Sequence, residues 1–504
     1  MVKAAHTQAH SHTTHASRQP FSLSQWAKTA SARHDGKSGF HLLTQGGEAF
    51  AVRATSTACA EHTLDIQTYI LEDGHSTRRL IALMIEAANR GVRVRLLVDD
   101  LTVGGQQKRL AMLDAHPLIE VRLFNPIMHW RRTLPLRYLW MACHVRKLHR
   151  RMHNKLWLVD DALAIVGGRN LSDDYFSVNV AHDFIDVDVV AVGGDVPRSL
   201  KQQFDAYWNH TLSVPLSTFV RVPTLCWRAL YALCTRSVGK GASYGRSLDD
   251  VADATSIESF ASALHWANAK VMWDLPDKID MPLTAPHARR MSQQVGAALN
   301  ATHHQLFAVS GYFVPEHLDA IDIAGMAHRG VKITVITNAL EASDVPLVHG
   351  GYAPHRQALL EAGVVLYETR RQHVKRERLP CRRRAHSRPR LSSTQAYSLH
   401  SKVMALDDDR VIVGSFNLDP RSVWWNSEVG VLIESPTLNA ALVRAGQLGM
   451  QLRYSYELQL RGHDVAWRTT TPAGTSKVLF REPAGLWRRL QAWVSERLGL
   501  ARYL

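Results

Sequence analysis

Two histidines, two lysines and two asparagines recur in this 504-residue chain at one fixed spacing. His153 and Lys155 are followed by Asp160, Gly167-Gly168 and Asn170; His400 and Lys402 are followed by Asp407, Gly414-Ser415 and Asn417. Both copies read H-x-K-x4-D-x6-G-[GS]-x-N, with no insertion or deletion. An imidazole can attack phosphorus or carry a proton, while ammonium and amide groups can cradle phosphoryl oxygens. Together they meet the needs of phosphodiester transfer: a nucleophile, a proton for the leaving alcohol and positive charge around the phosphate. Zinc is the other chemistry that paired histidines suggest. Neither copy has a His-x3-His pair or the cysteines and carboxylates of a zinc site, so no metal and no cofactor is expected.

The elements that must position these groups also repeat. Met152 to Val159 and Ala162 to Val166 read as strands joined by a tight turn at Asp160-Asp161, and Leu399 to Leu406 with Arg410 to Val413 repeat the plan around Asp407. Residues two apart on a strand share a face, so each His and its Lys look into one space. Asp160 and Asp407 complete the motif and are counted with its candidate catalytic residues, while their place at hairpin turns favours a structural reading. Ahead of each motif comes a strand (from Thr63; from Gln305), a helix, an Arg-Gly-Val (residues 90–92; 329–331) and another strand. Behind each comes a strand bearing an acid, Asp186 or Glu428. The same unit twice implies an α/β fold of two tandem domains, mixed sheets flanked by helices, related by pseudo-twofold symmetry around one shared active site.

With these motifs the chain resembles the phospholipase D superfamily, and within it the bacterial C-type cardiolipin synthases. The likeness rests on Arg151 to Leu156, Val166 to Phe176, Gly311-Tyr312-Phe313-Val314-Pro315 and His349-Gly350-Gly351-Tyr352, and spans roughly residues 40 to 500. It implies a phosphatidyltransferase that makes cardiolipin through a phosphohistidine, with His153 as nucleophile and His400 as general acid and then base. Lys155, Lys402, Asn170, Ser415 and Asn417 would hold the phosphate. The resemblance also implies a crossing: Glu428 orients His153, and Asp186 orients His400, with Asp188 a competitor for that role. Gly168, where the second copy has Ser415, would remove one hydroxyl from the phosphate pocket. Arg169 reads equally as a phosphate contact or as an ordinary arginine at a strand end. The implied substrates are phosphatidylglycerol and phosphatidylethanolamine, with an accessory protein left open. A hydrolytic phospholipase D is the alternative, and a nuclease of the superfamily a third reading.

The remaining sequence bears on the partner. Sixty Lys and Arg against forty-five Asp and Glu give a formal charge of +15, which suits a polyanion, either nucleic acid or an anionic lipid surface. Five scattered cysteines offer no disulfide framework. Mixed Trp, Tyr, Leu and Arg at 124–141, and a helix near 486–498 with Leu486, Leu490, Trp493 and Val494 on one face, favour a membrane interface over nucleic acid. That helix either lies in the interface or packs on its own domain. Arg370 to Arg390 holds ten Lys or Arg and reads as a basic loop. With no signal peptide or membrane-spanning segment evident, a peripheral protein of the bacterial inner membrane is expected. The expected organisation is a disordered extension over 1–38, one phospholipase D-like domain over 39–210, a connecting segment over 211–295, and the second domain over 296–504 with the amphipathic helix.

Overall fold

The computed structural model describes residues 22–103, 105–127, 149–178, 182–240, 260–282, 284–371, 373–375, 394–471 and 473–500. The Trp- and Arg-rich stretch from 128 onward and most of the basic run at 370–390 lie outside them.

The first half contributes β1 (Ser38–Leu43), β2 (Thr63–Thr68), β3 (Arg93–Asp99), β4 (Ile119–Phe124) and β5 (Leu156–Val159). After these come β6 (Leu163–Gly167), β7 (His182–Ile185), β8 (Asp188–Val192) and β9 (Ser213–Pro215). The second half contributes β10 (His265–Trp273), β11 (Gln305–Ser310), β12 (Lys332–Asn338), β13 (Val365–Thr369), β14 (His373–Lys375) and β15 (Thr394–Leu399). It continues with β16 (Lys402–Leu406), β17 (Arg410–Gly414), β18 (Val429–Glu434), β19 (Ser455–Arg461), β20 (Asp464–Thr470) and β21 (Ser476–Leu479).

Eighteen of these strands form one continuous sheet. Their pairings give the order β4-β3-β2-β5-β6-β8-β1 in the first half and β13-β12-β11-β16-β17-β18-β10 in the second. The two orders match strand for strand. In each, three parallel strands are joined through helical crossovers and the rest run antiparallel. The halves meet where β1 pairs antiparallel with β10, Gly39 opposite Trp266. This is the expected α/β fold with its internal twofold.

The crossover helices His75–Asn89 and Ile323–His328 both end in the repeated Arg-Gly-Val. Gly91 and Gly330 take φ of 106° and 90°, and the next Val amide bonds back to Ala87 or Met326. A residue with a Cβ is strained there, so glycine closes the helix and aims the chain into the next strand. Packing divides into three cores. One belongs to the first half (Leu80, Leu96, Trp157) and one to the second (Met291, Leu306, Met404). Between them a shared core joins Phe40, Val166 and Phe204 to Val413, Val431 and Leu442.

Three expectations need correction. The extension expected to be disordered carries the helix Leu23–Ala32, capped by the Ser22 side chain, with Leu23 and Ala27 buried. The segment expected only to connect supplies β10, the counterpart of β1, whose Ala267 and Met272 are buried while Asn268 and Lys270 are exposed. The strands expected to run unbroken through His400 and through Asp186 are each interrupted there. Up to the break, β15 and β7 pair with each other across the halves, in parallel; beyond it, each chain joins its own half's sheet.

Asp160 and Asp407 sit at the hairpin turns with φ of 50° and 48°, a region aspartate tolerates. The Asp160 carboxylate accepts from the amides of Glu61, His62 and Thr63 (2.7–2.8 Å). Asp407 accepts from His303, His304 and Gln305 and pairs with Arg410 at 2.8 Å. Each pins its hairpin to the start of β2 or β11. Asp160→Ala and Asp407→Ala are expected to cost about 1–2 kcal/mol each, the scale of a lost carboxylate cap. Denaturant melts should show that loss while turnover of the folded fraction stays near wild type.

Candidate active site

Each histidine lies at the point where its chain leaves one half for the other. The residue before it is fixed by the end of a parallel strand: Asp99 accepts from the Met152 amide (3.0 Å), and Asn338, its counterpart, accepts from the Leu399 amide (2.9 Å). The histidine's own amide then crosses over, His153 to the Ser427 carbonyl and His400 to the Ile185 carbonyl, both at 2.9 Å. The next residue bonds across as well: Ser427 Oγ donates to Asn154 Oδ1 (2.9 Å), and Ser401 Oγ to the Ile185 carbonyl (3.0 Å).

These backbone contacts set each ring against an acid of the opposite half. His153 Nδ1 lies 3.0 Å from both carboxylate oxygens of Glu428, and His400 Nδ1 lies 2.7 Å from Asp186 Oδ2. A carboxylate at Nδ1 fixes the tautomer and turns the other nitrogen toward the shared cleft. Asp188 faces elsewhere, paired with Arg53 at 2.8 Å and near Arg169. Arg169 itself is spent on the carbonyls of Leu43, Tyr175 and Asp186, so it is a structural cation.

The cleft encloses about 420 Å³, with His153, His400, Asn170 and Asn417 in its walls. Asn170 is held by the Ile70 amide and the Tyr175 hydroxyl. Asn417 keeps a buried side-chain oxygen with no partner among the described residues. Lys155 and Lys402 are buried beside the histidines, each ammonium donating to the carbonyl of the His two residues earlier. Several lining residues escaped the sequence reading. Tyr69 stands edge-on to His153 (5.1 Å between centroids), and Tyr175 and Phe184 flank His400 at 5.3 and 5.0 Å. Tyr312 donates to Asp344 at 2.6 Å, and Arg421 and Asp174 face the same space. Carrying the alignment of the two copies four residues past each asparagine pairs Asp174 with Arg421, and was the available signal.

Two of the expected assignments change. Asp160 and Asp407 are at the hairpin ends, apart from the cleft. Ser415 does not face the phosphate space: its Oγ donates to Glu428 and accepts from the Val429 amide (3.0 Å). Gly168 therefore does not leave the pocket a hydroxyl short. A Cβ there would come within 2.3 Å of Asp186 Oδ1. The shorter acid, Asp186, fills the space that a serine would need, and the longer one, Glu428, leaves room for Ser415.

Burial dominates the electrostatics. It pushes the Glu428 carboxyl up to about 7 despite Lys155 and Ser415, and Asp419 to about 7. It pulls His153 and Lys155 well below their ordinary values, with Lys402 adding repulsion, and lowers His400 and Lys402. Burial thus disfavours the cleft's own charges, and a bound phosphate anion would restore those on the lysines.

Two outcomes are expected. Gly168→Ser, which makes the copies match, should displace Asp186 from His400 and lower kcat about 100-fold, as loss of a supporting contact does; steady-state kinetics on folded protein measure it. For Glu428, a folded-state value raised from 4.5 to about 7 means that the fold holds a proton the unfolded chain has released. Stability from this group is complete below the lower value and lost as pH rises through about 7. Glu428→Gln should therefore melt higher than wild type at about pH 8, with the gain vanishing near about pH 5, while turnover falls. Thermal melts at both pH values test the sign.

Comparison with known proteins bears on the family and the fold. The family description "Cardiolipin synthase, PLD-like domain" matches residues 57–208 and again 295–445. Cardiolipin synthase C of Escherichia coli is 35% identical over 463 residues, 91% of this chain and 94% of that one. A protein of Helicobacter pylori is 31% identical over 434 residues, 85% of this chain and 82% of its own. The crystal structure of a phosphatidylserine synthase from Haemophilus influenzae superposes with a TM-score of 0.57 at 14% identity, covering 95% of this chain and 97% of that one, a likeness of fold. The doubled motif, the twofold sheet and these relatives together show that the chain belongs to the cardiolipin synthase, PLD-like domain family of the phospholipase D superfamily.

Proposed function

We propose that the protein makes cardiolipin by passing a phosphatidyl group to the free hydroxyl of phosphatidylglycerol, with phosphatidylglycerol or phosphatidylethanolamine as donor. Family membership makes it a phosphatidyltransferase of the phospholipase D type. The observation that carries the finer reading is the pair of imidazoles in one cleft, each held at Nδ1 by a buried acid of the other half.

In this reading, His153 Nε2 attacks phosphorus and forms a P–N bond while the headgroup oxygen leaves with a proton from His400 Nε2. His400, now neutral, takes the proton from the acceptor hydroxyl. That oxygen then attacks phosphorus and the P–N bond breaks, returning His153. Lys155, Lys402, Asn170 and Asn417 stabilise the charge on the nonbridging oxygens, and Asp186 offsets the positive charge on His400. The assignment of roles is favoured by the lopsided walls. Asp344 lies toward His400 and Asp174 by Tyr175, which flanks that ring, whereas Arg421 lies by Tyr69 and His153. A cationic headgroup such as ethanolamine fits departure on the acidic side. The rings of Tyr69, Tyr175, Phe184 and Tyr312 limit water near phosphorus, which favours an alcohol acceptor over hydrolysis.

Among the described residues no helix is long and apolar enough to cross a membrane. A protein working on bilayer lipids without such a helix there fits peripheral attachment to the bacterial inner membrane.

The test is product analysis by mass spectrometry with phosphatidylglycerol, alone and with phosphatidylethanolamine. Cardiolipin is expected, together with released glycerol or ethanolamine. His153→Ala and His400→Ala should each lower its formation by on the order of a thousandfold or more. Phosphatidic acid as sole product would make the enzyme a hydrolase, and full activity in either variant would end the shared-site mechanism.

A further inference from the structure

The helix Leu486–Arg497 packs with its faces reversed. Its small residues Ala492 and Ser495 are buried, against the helix Pro346–Tyr352. The approach is so close that a Cβ on Gly350 would come within 2.3 Å of the Ala492 carbonyl oxygen. The large apolar side chains point outward: Leu486 is 83% exposed, Trp487 69%, Leu490 46% and Trp493 52%. Phe480, just ahead of the helix, is 70% exposed. A helix folded onto its own domain buries its apolar stripe. Here that stripe is left in water, which marks an interaction surface.

The helix is also firmly seated. Arg488 donates to the carbonyls of Leu340 (3.1 Å) and Ser343 (2.6 Å). Glu482, in the segment leading into the helix, takes a bond from Arg356 at 2.6 Å and lies 2.7 Å from His349 Nε2. Arg356 also binds Glu368 at 2.7 Å. His349, Glu368 and Glu482 have the composition of a metal site, but the Arg356 guanidinium bonds to all three, so the cluster is an ion-pair anchor. The stretch gripped by these contacts carries Asp344, Val345 and Val348 of the cleft wall. The outward apolar face is thus tied directly to the active site.

We propose that this face docks into a phospholipid bilayer bearing anionic headgroups, so that the helix lies in the interfacial plane and brings the cleft to headgroup level. This rests on the lipid-transfer reading above. Two tryptophans among leucines suit the interface, where the ring is apolar and its N–H stays wet. The exposed Arg481 and Arg497 border the face, and the chain carries +15, complementary to an anionic surface.

The experiment is flotation of the full chain with vesicles of phosphatidylglycerol and phosphatidylethanolamine. Wild type is compared with the variant Trp487→Glu/Leu490→Glu/Trp493→Glu. Size-exclusion without lipid and turnover of a short-chain, monomerically dissolved phosphatidylglycerol run alongside. Vesicle affinity of the variant should fall about tenfold or more, with unchanged elution and short-chain turnover within about twofold of wild type. The milder Trp487→Ser/Trp493→Ser should weaken flotation in the same direction and serves if the triple variant does not fold. Unchanged flotation overturns the proposal. So does a wild-type dimer that the variant converts to monomer, because the face would then be occupied by a second copy. Wild type that floats yet turns over no phospholipid would leave the docking surface standing and remove the enzymatic reading.

Discussion

A buried imidazole needs an acceptor for its Nδ1–H, and in this protein a carboxyl group of the other half supplies it for both histidines. Leaving such a donor unpaired inside a protein costs about 1–3 kcal/mol. Neither half can therefore form a competent site alone, and much of the architecture serves the exchange. The strands break at His400 and Asp186, where the backbone turns from pairing across the halves to pairing within its own half's sheet. The reciprocal amide bonds from His153 to Ser427 and from His400 to Ile185 place the rings to within hydrogen-bond tolerance. The β1–β10 seam and the shared core hold the halves in the register these bonds require.

Behind each histidine the two halves reach the same result by different packing. On one side a glycine makes room for the shorter acid; on the other a serine hydroxyl steadies the longer one. Residue size and acid length change together because the distance from backbone to imidazole is fixed by the crossing strands. The motif letter that varies between the copies thus belongs to the support of the acid and not to the phosphate space.

The sequence was most informative where geometry is local. Residues two apart on extended chain, a glycine after a helix and aspartates in tight turns have consequences that short-range sterics settle. So the doubled unit, the Arg-Gly-Val caps and the turn placement of Asp160 and Asp407 could be read directly. The strand breaks could not, because the alternation of residue types runs through them and the reason for stopping lies in the opposite half. Ser415 was misplaced for the same reason: nothing in its neighbours tells which side of the strand end meets Glu428. The short helix at Leu23 and strand β10 were hidden by weak patterning, their burial being set by partners far along the chain. In the last helix, periodicity revealed an apolar face but not which way it points. Small residues opposite that face, at Ala492 and Ser495, decided the matter through the close approach to Gly350.

The opposed charges at Asp174 and Arg421 have a consequence for symmetry. A site built from two identical one-motif subunits would be obliged to carry two arginines or two aspartates at these positions, and its two ends would be interchangeable. Joining both motifs in one polypeptide removes that obligation. The cleft acquires a direction, so the partner that leaves and the partner that enters can be told apart by the wall they pass. Carrying both motifs in one chain turns a symmetric vessel into a polar one, in which two chemically similar lipids can be given different parts.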